Sequence, residues 1–102
     1  MPIAIINYIR ANSPDAFEKV VNAFKNRAGL VEDSPGFMGL QVLANRERLE
    51  VLVITTWEST EAYEAWVNSK RFKEAHSRAR SSGSGSSSEG VLYEVVDHVC
   101  RC

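Results

Sequence analysis

No run of about eighteen apolar residues occurs in this 102-residue sequence, so a bilayer-crossing helix is not expected. The N-terminus also lacks a basic segment followed by an apolar one, leaving no recognisable export signal. The expected location is therefore the cytoplasm, with no membrane partner. An excess of charge of one sign is equally absent. Twelve Lys and Arg against 13 Asp and Glu leave a formal net charge of −1, which gives the whole protein no electrostatic reason to seek nucleic acid. Cysteine is confined to Cys100 and Cys102. With no second pair they cannot complete a four-ligand zinc site. A C-x-C at this position suits a soft metal, a disulfide between chains, or a solvated tail without chemistry, and the last is the simplest.

What is present describes a folded protein. Apolar residues make up 44% and charged residues 25%, an ordinary globular balance. The length suits one domain, expected over residues 1–99 with a tail at 100–102. A domain of this size buries about two-thirds of its unfolded surface, so a modest core, or one shared with a second copy, is expected.

Residues 3–9 are apolar except chiefly for Asn7, the pattern of a strand covered on both faces. Ser13-Pro14 starts a helix, with Ser13 as N-cap and Pro14 at the first helical position. Phe17, Val20, Val21, Phe24 and Ala28 follow at helical spacing, and Gly29 stands where the helix would stop. Ser34-Pro35-Gly36 marks a turn. Strands over 37–44 and 49–57, separated by polar residues 45–48, make a hairpin. Ser59 or Thr60 caps a second helix ending near Val67, and Ser69 is placed to cap a third, short one carrying Phe72, Ala75 and His76. The stretch "RSSGSGSSSEG" has no apolar side chain and predicts a mobile loop over 81–90. A strand over 91–99 closes the chain.

The order β-α-β-β-α-β, with its second helix broken, is that of an α+β, ferredoxin-like split βαβ fold. Its four-stranded antiparallel sheet carries helices on one side. Strand residues apolar on both faces, such as Leu49 to Ile54, imply that a second copy covers the other side. A homodimer is expected.

Three positions stand out for chemistry. Asn7 shares a strand face with Ile3, Ile5 and Ile9. A buried amide without a partner costs roughly 1–3 kcal/mol, so Asn7 either bonds neighbouring backbone or serves a ligand. Trp66 follows Tyr63 by three residues and Ala62 by four, a spacing that suits a core residue as well as a ligand wall. Ten residues separate Trp66 from His76. A continuous helix would set them roughly 80° apart, whereas two helices meeting at Asn68-Ser69 can aim both into one hollow. His76 sits among Lys70, Arg71, Lys73, Arg78 and Arg80. A lone histidine makes no closed zinc site, but one imidazole suffices to hold a haem iron, because the porphyrin supplies four nitrogens. The nearby cations then match anionic propionates; a solvated basic face is the alternative.

Asn7 in the first strand, Trp66 in "EAYEAWVNS" and His76 in "RFKEAHSR" resemble the Isd-type haem-degrading monooxygenases of the antibiotic biosynthesis monooxygenase superfamily. The likeness extends to "DSPGFMGLQVL", "TTWES", the loop after His76 and "YEVV", and so to nearly the whole chain. The loop is richer in Gly and Ser than the family's, and the C-x-C tail is no family feature. The resemblance implies a dimeric α/β barrel with a haem site in each subunit. His76 would be the axial iron ligand. Asn7, on the opposite side, would donate its amide N–H to the activated oxygen, and Trp66 would press on the porphyrin and ruffle it. Phe24 and Arg27, on the first helix, would form the haem wall and a propionate contact. Haem would be both substrate and oxygen-activating cofactor, opened to a linear tetrapyrrole with loss of iron, using O2 and electrons from a reductase or small-molecule reductant. Two other readings remain: a cofactor-free monooxygenase acting on a polycyclic phenol, and a non-catalytic haem carrier.

Overall fold

The computed structural model describes residues 1–26, 31–70, 72 and 86–100. Strand β1 (Ile3–Ala11) leads into helix α1 (Pro14–Lys25), followed by a 3-10 turn (Val31–Asp33), strands β2 (Phe37–Asn45) and β3 (Glu50–Trp57), helix α2 (Thr60–Val67) and strand β4 (Ser86–Glu94). The sheet has four antiparallel strands in the order β2-β3-β1-β4, the expected ferredoxin-like arrangement.

Local chemistry fixes the helix starts. Ser13 Oγ accepts from the Ala16 amide at 3.1 Å, and Ser59 Oγ from the Ala62 amide at 3.2 Å. Each satisfies one of the otherwise unpaired first-turn donors, and Ser59 rather than Thr60 is the cap of α2. Helix α1 ends sooner than its apolar spacing predicts. Asn26 is its C-cap, and both its backbone N–H and its Nδ2 donate to the Asn22 carbonyl. Arg27, Ala28 and Gly29 lie outside the described residues.

The final strand corrects the sequence reading. It runs over Ser86–Glu94 rather than 91–99, so residues 86–90 of the expected loop are sheet. Nine residues of β4 pair with the nine of β1, from Ala11↔Ser86 to Ile3↔Glu94. One further bond, from the Val95 amide to the Pro2 carbonyl, ends the ladder. Beyond it β1 offers no partner, and Val96 and Val99 stand 90% and 87% exposed despite their strand propensity. The ladder needs only backbone groups, which Ser and Gly supply as well as Val.

The sheet's helix-covered face carries two apolar clusters. One joins Ile3, Ile5 and Trp57 to Val31 and Trp66, with Ala62, Tyr63, Val67 and Phe72 packed against it. The other joins Val51 and Val53 to Phe17, Val20 and Val21, with Ile9, Ala11 and Phe24 alongside. The opposite face presents Ala4, Ile6 and Tyr8 of β1, Leu52, Ile54 and Thr56 of β3, and Leu43 and Tyr93 at 43% exposure each. No described element covers it. No described helix is long and apolar enough to cross a membrane.

Ser34-Pro35-Gly36 forms the expected turn, closed by the Phe37 amide on the Ser34 carbonyl at 3.1 Å. Gly36 has φ +83°, and a Cβ there would lie 2.5 Å from the Ala62 Cβ. Both the backbone and the helix behind it demand glycine. Gly36→Ala should lower stability by about 2 kcal/mol or more, read as the shift in urea midpoint.

Candidate functional site

Position 7 lies where the two clusters part. Along the inner row of β1, Ile3 and Ile5 pack with α2, while Ile9 and Ala11 pack with α1. Asn7 separates them and belongs to neither. Its neighbours across the sheet are Val53 on β3 and Gly90 on β4. The side chain is half-buried, and its carboxamide makes no hydrogen bond among the described residues. The backbone partner that would have made Asn7 purely structural is thus not formed. A polar group with free donors, set in an apolar seam between two helices, is a place to orient a ligand.

Trp66 is only 8% exposed. Its ring stacks on Trp57 at 6.4 Å between centroids and 27° between planes, and Phe72 meets it edge-on at 5.6 Å. Trp57, wholly buried, also receives Phe37 and Tyr63 edge-on at 5.5 and 5.8 Å, and its Nε1–H donates to Thr55 Oγ1 at 3.1 Å. The core role allowed for Trp66 is therefore real. The stack on Trp57 and the edge contact with Phe72 also hold the indole stiffly, because a buried ring packed against two aromatic neighbours has few rotamers to visit. Phe24 sits at the far end of α1, partly buried against the other cluster. Asn7, Phe24 and Trp66 accordingly share the helix-covered side of the sheet, each from a different element. His76 and Arg27 lie outside the described residues.

The joint between Trp66 and the following segment is formed as its sequence predicts. Helix α2 ends at Val67 with Asn68 as C-cap, and helix resumes at Lys70. Ser69 ties the two together: its hydroxyl donates to the Trp66 carbonyl at 2.6 Å, and its Oγ accepts from the Phe72 amide at 3.2 Å. The chain can therefore change direction directly after the tryptophan.

A half-open cavity of about 200 Å³ lies between residues 33–35 and Ala62, Ala65, Trp66 and Ser69. It is below the roughly 300 Å³ of the smaller ordinary ligand pockets, and neither Asn7 nor Phe24 lines it. We do not assign the site there. Among the described residues, no three His, Cys, Asp or Glu side chains gather as a metal site. Cys100 is disulfide-bonded, and Cys102 is outside the described residues. Two tyrosines have raised pKa values: Tyr63 because burial beside Trp57 disfavours its phenolate, and Tyr8, on the opposite face, chiefly through its hydrogen bond with Tyr93. Neither is poised to act as a base near neutral pH. One residue beside the site escaped the sequence reading. The composition around Gly90 predicts a loop, and only the β1–β4 register brings it opposite Asn7.

The model of the antibiotic biosynthesis monooxygenase family matches residues 2–78. The chain belongs to that family. Within the family, it is 36% identical over 97 residues to the haem oxygenase (mycobilin-producing) of Mycobacterium tuberculosis, covering 94% of this chain and 90% of that one. A haem-degrading monooxygenase of Bacillus thuringiensis subsp. konkukian is 40% identical over 62 residues, covering 58% of this chain and 57% of its own. Among solved structures, a MhuD variant with two manganese protoporphyrin IX molecules bound per active site superposes with a TM-score of 0.79. It has 32% identity and covers 96% of this chain and 98% of its own. The cofactor-independent oxygenase SnoaB from Streptomyces nogalater superposes with a TM-score of 0.73 at 20% identity, covering 96% of each chain, a likeness of fold alone.

Ser69→Ala should cost about 1 kcal/mol by removing the cap after Trp66. Thermal melting of the ligand-free protein measures the loss; an unchanged midpoint would mean the joint holds without the hydroxyl.

Proposed function

We propose that this protein is a haem-degrading monooxygenase that opens the macrocycle with O2 and external electrons, releasing iron and a linear tetrapyrrole. The observation that carries this reading is the 36% identity to the mycobilin-producing haem oxygenase, which spans almost both chains. Fold cannot decide the matter, since cofactor-independent and porphyrin-binding relatives superpose almost equally well. The site's geometry agrees. A flat apolar ligand suits the seam between two apolar clusters, and the carboxamide of Asn7 has no competing bond there among the described residues.

Bound haem is the substrate and, through its iron, the group that activates oxygen. The protein's share is position, shape and polarity. His76 supplies the imidazole that ligates iron, and Arg27 the charge for a propionate. Phe24 gives an apolar wall. Asn7 donates from Nδ2 to an acceptor at the reacting centre. Trp66, backed by Trp57, meets the macrocycle with a side chain that does not yield. Electrons come from a reductase or small-molecule reductant in the cytoplasm, and neither nucleic acid nor membrane takes part.

Added haemin should give a shifted Soret band that bleaches when ascorbate or a reductase is supplied in air. With no shift, both haem readings fall and the cofactor-free monooxygenase takes their place. A shift without bleaching would leave a haem carrier. His76→Ala should abolish the histidine-ligated spectrum. Asn7→Ala should retain binding yet slow turnover by roughly tenfold to a hundredfold, and unaltered turnover would remove Asn7 from the mechanism.

The same reading makes the uncovered sheet face a homodimer interface, with two sheets closing into an α/β barrel. Sedimentation should give twice the 11.4 kDa chain mass. Ile54→Lys, which puts a charge on that face, should yield monomers; a wild-type monomer would rule the dimer out.

A further inference from the structure

We propose that Gly90 is a positioning residue for Asn7: the lack of a side chain at position 90 leaves the carboxamide room for the orientation in which its oxygen faces β4 and Nδ2 is free to serve the ligand. The proposal rests on the reading of Asn7 given above, but its geometry is separate from it. The two residues are direct cross-strand partners in the β1–β4 ladder. A Cβ built on Gly90 would stand 2.8 Å from Asn7 Oδ1 and 3.8 Å from its Cγ, with nothing else within 4 Å among the described residues. The first distance is well inside an ordinary C···O contact of about 3.3 Å. Nδ2 is farther off, so the oxygen end of the amide faces β4 and the donor end is turned away from it.

Glycine is otherwise a poor choice here. It sits inside a strand, where it has no side chain to pack and loses the most backbone entropy on folding. Its φ is not in the left-handed region, so the backbone itself would accept alanine. What opposes alanine is one atom at the end of a side chain with two torsions, unheld by any hydrogen bond among the described residues. The cheapest response to a Cβ is therefore rotation of the Asn7 amide, with the strands left in place. The absence of a side chain at position 90 thus specifies a rotamer at position 7 more than it specifies the fold. It also keeps that part of the seam open for a ligand.

The test compares Gly90→Ala, Asn7→Ala and the double variant. In the haem-free protein, Gly90→Ala should shift the Asn7 side-chain amide resonances in a ¹⁵N–¹H spectrum while preserving the backbone pattern of a folded sheet. With haemin, affinity should stay within about twofold, while turnover falls about fivefold or more in the Asn7 background and less than twofold in the Asn7→Ala background. Folding of Gly90→Ala only when Asn7 is also alanine would equally identify the amide as the obstacle. An unmoved amide resonance would overturn the proposal, as would equal loss of turnover in both backgrounds or unfolding in both. If haemin does not bind at all, the reading of function fails, but the amide resonance still decides the role of Gly90.

Discussion

The central position of β1 governs this structure. One nine-residue strand pairs with β3 on one edge and β4 on the other, and its inner row meets both helices. Ile3 through Arg10 thus answer to two ladders and one face at once. A one-residue slip would turn Ile3, Ile5 and Ile9 out of the core and take Asn7 away from the helices. The register is strongly specified by burial for that reason, and the place of the amide follows from it.

The two clusters are a consequence of the same constraint. Helix α1 covers the end of the face formed by Val51, Val53 and Ile9, while α2 covers the end formed by Ile3, Ile5 and Trp57. Between them an apolar residue at position 7 would have closed the seam. The amide instead interrupts the core, at a cost that a domain of this size tolerates poorly unless the position is used. Trp57 anchors the α2 end through Phe37, Tyr63 and Trp66, and this aromatic packing lets α2 stop after eight residues without losing its place.

Much of this was legible in particular residues. Ser13-Pro14 and Ser59 announced the helix starts, Ser34-Pro35-Gly36 the turn, and Asn68-Ser69 the break after Trp66. Each is short-range chemistry in which a side chain serves a backbone group within a few residues. Helix α1 stops short of its apolar spacing because Asn26 caps it first. The last strand lies elsewhere than its sequence suggests because the composition of residues 86–90 is that of a loop, while strand formation there depends on backbone groups of β1 some eighty residues earlier. The family, likewise, was visible in the ordered set of Asn7, Trp66 and His76, although each alone reads as structure.

By itself the sequence determined the elements, their order and the sheet topology, since capping, turn chemistry and hydrophobic period act locally and the split βαβ order admits few arrangements. It also singled out Asn7 as an amide where an apolar residue was due. Tertiary structure alone decided that this amide lacks a backbone partner among the described residues, that it stands at the division between two clusters, and that a glycine lies across from it. Those facts depend on the register in which β4 lies along the edge of β1. Such pairing is settled by burial summed over the whole sheet, and no local stretch of the chain encodes it.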